Sequence, residues 1–303
     1  MDRLNHGYSR VVKISETTEE FLQKYGIEKS EIPEKEFTSI KSVNSFSLKA
    51  DMSPVKNQMD ASTCTSFGVI AILDYEYRGL GLTMSEAHLT HIAEKKYGDC
   101  IGGLSIGQAM LSCKAPGIVP ERYWPYDPTQ ICWENPPNID QYIKAYFQDI
   151  KTLYNRPRSE VIDVMKSQLK PDLLFRNTFY DVDDDIPSKI KAVLHGSRRP
   201  LVVSVPVWFK SSGYFDAGWD WGPHVQMPNP VQVKLWLQEN VDKALASSNE
   251  DGWHAIAICG YDNSNARFEF KNSWGSFWGE GGYGTIPYEY ISEYSDIGMH
   301  GWL

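Results

Sequence analysis

The pattern of apolar and polar positions divides the chain into a helix-rich first part and a strand-rich last part. Residues 67–77 are apolar at helical spacing. Phe67, Ile70 and Tyr77 share a stripe with Ile72 and Leu73 beside them, and Gly79 and Gly81 follow. Ser62 or Thr63 is suited to cap this helix, which puts Cys64 in its first turn. Further helices are predicted at 84–97 with a Ser85 cap, at 105–114, and at 15–26 with a glycine stop. Others are predicted at 159–169, at 186–195 closed by Gly196, and at 231–246. Residues 201–207 are an apolar, β-branched run that reads as a strand. Residues 252–261 and 266–275 read as two more, joined by the turn signal Asp262-Asn263-Ser264-Asn265.

Candidate chemistry enters with Cys64. A thiol at a helix start sits where the macrodipole favours negative charge, and an imidazolium neighbour would favour the thiolate further. A small buried cysteine opening a core helix fits that stretch alone equally well. The hairpin changes the balance. Folded about Asn263 and Ser264, it pairs residues whose numbers total about 527, and His254 and Asn272 total 526. They should lie opposite or diagonal to each other, within reach of a side-chain hydrogen bond. Asn272 shares the parity of Phe268 and Phe270 and should point to the buried face. A cysteine, a histidine and an asparagine so arranged are the makings of a nucleophile, a base and a group that orients the base.

These residues carry a resemblance. Pro54-Val55-Lys56-Asn57-Gln58, with Cys64 six residues later, resembles the active-site loop of papain-like cysteine proteases. Trp253-His254-Ala255 running into Gly260-Tyr261 resembles the histidine strand of that family, and Asn272-Ser273-Trp274-Gly275 with Trp278-Gly279-Glu280 its asparagine motif. Cys100-Ile101-Gly102-Gly103 is similar to the glycine pair lining the family's cleft, and Trp124-Pro125-Tyr126 resembles another family segment. The likeness runs from about residue 44 to about 292, in a bacterial-type version with insertions.

The resemblance implies a two-lobed α+β fold. A helical lobe would span about 44–135 and a β-rich lobe about 136–303, with insertions near 150–178 and 213–250. It implies peptide-bond hydrolysis through a thioester, with Cys64 as nucleophile, His254 as its proton partner and Asn272 fixing the ring. Gln58 and the Cys64 backbone N–H would form the oxyanion hole. Gly102 and Gly103 would bring backbone close to an extended substrate, and Trp274 would cover the His–Asn bond at the substrate groove. Two departures stand out. Ala61 and Ser62 replace a cysteine and a glycine before the nucleophile, and Thr65 replaces a tryptophan after it. Ala61 removes the usual disulfide partner of the cysteine matching Cys100. Pairing among Cys100, Cys113 and Cys132 stays open, and Cys259 reads as a buried thiol in a strand.

The same constellation serves an acyl transferase or transpeptidase, and a silent peptide-binding relative is the third reading. Residues 1–43 are charged and polar, and two readings stand for them: a short pro-segment inhibiting the cleft in cis, or a tail packed on the surface. His88 and His91 are expected as surface or capping residues of their helix. Among the aromatics of the second insertion, Tyr214, Phe215, Trp219 and Trp221, packing onto the lobe is the expected role over shaping substrate pockets.

Composition sets outer bounds on partners, while the resemblance implies a polypeptide substrate. In 303 residues, 42% apolar and 13% aromatic content suffices for a core. A net charge of −9 argues against nucleic acid. There is no apolar run of about 18 residues to cross a membrane, and the first residues lack the apolar core of a secretory signal. Without Cys-x-x-Cys pairs or clustered histidines, no zinc site is expected, and no cofactor. The acidic run 181–185 lacks the glycine and ligand spacing of a calcium loop.

Overall fold

Strand pairing organises the structure, a computed structural model describing residues 18–97, 104–113, 118–130, 170–176, 185–207, 219, 222–233 and 252–302. Among these residues one sheet has eight strands. They are β1 (Glu28–Lys29), β2 (Ser45–Ser47), β3 (Lys170–Arg176), β4 (Leu201–Val207), β5 (Gly252–Asp262), β6 (Arg267–Lys271), β7 (Tyr283–Pro287) and β8 (Ile297–Trp302). Their order is β1-β3-β8-β4-β5-β6-β7, with β2 pairing β5 off this path. β1 runs parallel to β3, and the other ladders are antiparallel. The fold is α+β, as the resemblance implied. β3 falls inside the stretch expected as the first insertion, so residues 170–176 belong to the main sheet.

Both faces of the sheet are covered, which is why β4 is apolar at every position but Ser204. Val203 and Val205 of β4 and Ile256 and Ile258 of β5 face one core, with Phe268, Phe270, Tyr290 and Trp219. Helices α6 (Ile186–Ala192) and α7 (Tyr288–Tyr294) pack on that side. Val202, Ala255, Leu173 and Met299 face the other, beneath α3 (Cys64–Glu76), α4 (Glu86–Tyr97) and α5 (Ile106–Ser112). α3 is buried from Thr65 to Tyr75, so it is a central helix and not a one-sided stripe, and Tyr77 caps it. It lies close on the sheet because Gly68 has no side chain: a Cβ there would stand 2.8 Å from Val202 Cγ2.

Three local expectations shift. The hairpin turn is Asn263–Ala266, one residue later than predicted, with Ala266 at φ +52°. Paired numbers therefore total 529 near the turn and 528 beyond a bulge at Cys259. The helix at 186 does not stop at Gly196. It widens into a π turn, Val193–Ser197, and Arg198 takes the left-handed position. Gly196 lies against the Glu36 side chain, whose carboxyl end a Cβ there would meet at 2.7 Å. His88 is buried, not on the surface: its Nδ1 accepts from Val119 N at 3.1 Å, and its ring packs on Trp124 beside that of His91. The predicted helix 159–169, nearly all of 231–246, and the acids 181–184 lie outside the described residues.

Residues 18–43 attach along the molecule's flank. Phe21 of α1 (Thr18–Tyr25) meets α5 at Gly107, β1 adds to β3, and α2 (Glu34–Ser39) lays Glu36 and Ser39 against Gly196 and His195. Ser105 and Gln108 form a capping box at the start of α5.

Candidate active site

The loop before α3 and the loop after β6 are laced together. Gln58 N donates to Ser273 O at 2.8 Å, Gly275 N donates to Lys56 O at 3.1 Å, and Asn57 bridges Trp274. Ser273 Oγ donates to Gln58 Oε1 at 2.5 Å, and Gln58 Nε2 donates to Ala61 O at 2.8 Å. The Gln58 amide is therefore fixed in one orientation, with one N–H left over.

Thr63 occupies the N-cap position of α3, as predicted, but its side chain makes no cap bond. Cys64 opens the helix and is half-buried. Burial pushes its thiol up from the ordinary value, while the backbone N–H of Ala255 pulls the other way. That contact sets the sulfur against β5 at the residue following His254. Cys113 and Cys259 are buried and free of disulfides, and Cys259 Sγ points to Glu269 O at 3.7 Å.

His254 and Asn272 meet diagonally across the hairpin, with Nε2 and Oδ1 2.7 Å apart. Asn272 Oδ1 also accepts the backbone N–H of Ser273 at 2.8 Å. A backbone N–H only donates, so this atom is the carbonyl oxygen, and the proton of a neutral His254 sits on Nε2. Nδ1 is then the nitrogen that can accept. Burial drives the imidazole down to about 4, against the raising effect of the Asn272 bond. Taken singly, both groups favour their neutral forms, because each charge alone is costly in a dry site.

Trp274 stacks on the His254 ring at 4.7 Å. A second tryptophan, Trp219, stands edge-on to His254 at 5.9 Å and to Trp274 at 5.9 Å, and its Nε1 donates to Tyr290 Oη at 3.2 Å. Its contact with His254 was not foreseen in the sequence; its place among the aromatics of the insertion ahead of the histidine strand is the signal there. Gly102, Gly103, Cys100, Cys132, Tyr214, Phe215 and Trp221 lie outside the described residues.

Behind the pair is a small cavity lined by Lys56, Asp74, Glu86, Lys271, Ala255, Asn272 and Ser273. Sequence reasoning also missed this buried charge cluster. Among the described residues no group of three or more His, Cys, Asp and Glu side chains is arranged to hold a metal ion.

Residues 229–297, which include His254 and Asn272, match the family model described as papain family cysteine protease. An uncharacterised peptidase C1-like protein of Acanthamoeba polyphaga mimivirus is 27% identical over 194 residues, 63% of this chain. The match spans about half of that relative, 48% of its length. In fold the chain is similar to xylellain, a cysteine protease from Xylella fastidiosa, with TM-score 0.62, 18% identity and 91% of each chain covered. It is also similar to a procathepsin B from Trypanosoma congolense, with TM-score 0.55, 13% identity, and 92% of this chain and 84% of that one covered. A digestive procathepsin L 3 of Tenebrio molitor larval midgut gives TM-score 0.54 and 19% identity, covering 95% and 79%. The matched segment, the curated relative and the shared fold point the same way: each of them makes this chain similar to papain-family cysteine proteases.

Proposed function

We propose that this chain hydrolyses peptide bonds of proteins or peptides, with Cys64 as nucleophile, His254 as proton carrier and Asn272 as the group that orients it. One observation carries the reading: the doubly hydrogen-bonded Asn272 Oδ1 holds the Nε2 proton of His254 and leaves Nδ1 to accept. The thiol proton passes to Nδ1, and the thiolate attacks the carbonyl carbon of the scissile bond. Each charge is then the counter-ion of the other, and the N-terminus of α3 favours the thiolate. The oxygen of the tetrahedral intermediate takes hydrogen bonds from the Cys64 N–H and the free N–H of Gln58. Collapse breaks the C–N bond, and the leaving amine takes the proton from His254. Water, giving its proton to His254, then hydrolyses the thioester, and the acid and the thiol are regenerated.

The test is turnover of a fluorogenic peptide amide, with and without a thiol-alkylating epoxide, beside Cys64→Ala. The expected result is turnover that both interventions abolish. Turnover surviving in Cys64→Ala overturns the mechanism. Transfer to an added amine in excess of hydrolysis replaces the hydrolase reading with an acyl transferase.

A further inference from the structure

We propose that Tyr126 is a positioning residue for this chemistry, a phenol that ties the oxyanion glutamine to the approach of the nucleophile where the family's usual disulfide cysteine is absent; this rests on the hydrolase reading above. Tyr126 Oη donates to the backbone oxygen of Gln58 at 2.9 Å. Its only proton is thereby committed, so Thr63 Oγ1, 2.8 Å away, donates to it. Thr63 hydroxyl, Tyr126 hydroxyl and Gln58 carbonyl thus form one directed chain, in which each bond polarises the next.

Both ends of that chain matter. Gln58 carries the side-chain N–H offered to the oxyanion, and Thr63 immediately precedes Cys64, whose backbone N–H is the other donor. The segment between them is otherwise held by short-range bonds, Ala61 N to Gln58 O at 3.3 Å and Thr63 N to Ala61 O at 2.8 Å. Met59 within it stands at φ +53°, a strained setting for a residue with a side chain. Ala61 offers no sulfur for a covalent tie. The diversion of Thr63 from helix capping, where its hydroxyl would ordinarily serve, has its reason here. The Tyr126 ring is anchored independently, edge-on to buried Phe67 of α3 at 4.8 Å. Burial pushes its hydroxyl up to about 12, so the phenol stays a donor throughout the neutral range. A second hydroxyl, Thr65 Oγ1, donates to Leu104 O at 2.8 Å from the place where the family carries tryptophan.

The chain acts on where the two oxyanion donors sit, not on the thiolate. Tyr126→Phe, which keeps the ring, is compared with Thr63→Val and the double variant. Each is assayed on a fluorogenic peptide amide and by alkylation of Cys64 with iodoacetamide. Alkylation displaces iodide at a saturated carbon and builds no oxyanion, so it reads the thiol alone. The expected result for Tyr126→Phe is kcat lowered about tenfold or more with KM and the alkylation rate within about twofold. The double variant should be no worse than Tyr126→Phe by more than about twofold, since both changes break one chain. An unchanged kcat overturns the proposal. So does alkylation that slows in step with kcat, because the effect is then on the thiol or the fold at large. Unmodified protein that alkylates but never turns over peptide overturns the parent reading, and this one with it.

Discussion

The ammonium of Lys56 lies 2.8 Å from Oε1 of Glu86, and Glu86 is 2% exposed. Lys56 also reaches Glu121 Oε2 at 2.8 Å and Met84 O at 3.0 Å. Asp74 of α3 and Lys271 of β6 face the same cavity, Lys271 donating to Ser53 Oγ at 2.8 Å. The two lysines stand two residues before Gln58 and one before Asn272, so the helical lobe grips the candidate catalytic loops through charge. Burial pushes the Glu86 carboxyl up to about 7, although Lys56 pulls it down. Between about 4.5 and about 7 the folded protein therefore holds this proton more firmly than the unfolded chain. Its contribution to stability is full at the acid end and is lost as pH rises through that window. Glu86→Gln removes the dependence. Thermal melts of both proteins from pH 4.5 to 7.5 should show the wild type losing ground to the variant as pH rises, by up to about 3 kcal/mol. A gap that stays constant with pH would refute this.

Trp219 supplies much of the enclosure that keeps His254 dry. Trp219→Ala should admit water beside the imidazole and let its pKa climb from about 4 toward the ordinary histidine value. The His254 ring resonances, followed by NMR against pH, report this directly. The same variant should cost roughly 3–5 kcal/mol of stability, as emptying a large aromatic site does. Tyr290→Phe, which removes the acceptor of the indole N–H and the donor to Pro206 O, should cost roughly 1–3 kcal/mol and leave the titration where it was.

Gly68 separates packing from propensity. In an isolated helix, alanine would gain roughly 1 kcal/mol over glycine. Here Gly68→Ala should instead destabilise by roughly 1–3 kcal/mol, because the new Cβ lands on Val202 Cγ2. Combining it with Val202→Ala should give a double variant more stable than the separate effects predict, measured by urea denaturation. Simple additivity would mean that the two do not collide.

Elements whose cause is local were legible in the chain. The start of α3 at Cys64, the apolar run of β4, a helix at α5 and the meeting of His254 with Asn272 all follow from short-range spacing. The register came within two of the observed pairing; the error lay in Ala266 accepting a left-handed conformation and in the bulge at Cys259. What spacing could not reveal depends on the second layer. Lys271 lies on the face of β6 opposite Phe268 and Phe270, and the pattern alone would leave it in water. It is buried because α3 lies over that face at close range. His88 is buried for a similar reason, since the segment carrying Val119 and Trp124 folds back over α4. The Thr63–Tyr126 bond joins residues 63 positions apart, and nothing in either neighbourhood announces it.

β1 contributes two residues, yet it covers the outer rim of β3: Glu28 pairs with Asp172, Lys29 with Leu173, and Ser30 N donates to Leu173 O at 2.8 Å. Ser30 Oγ then contacts His300 of β8 at 3.0 Å. Trimming the chain past Ser30 would strip that rim and leave an apolar strand as a template for a neighbouring molecule. Lost activity in such a truncation would report self-association, not relief or loss of inhibition, and a clean probe of an inhibitory leader has to end before Thr18.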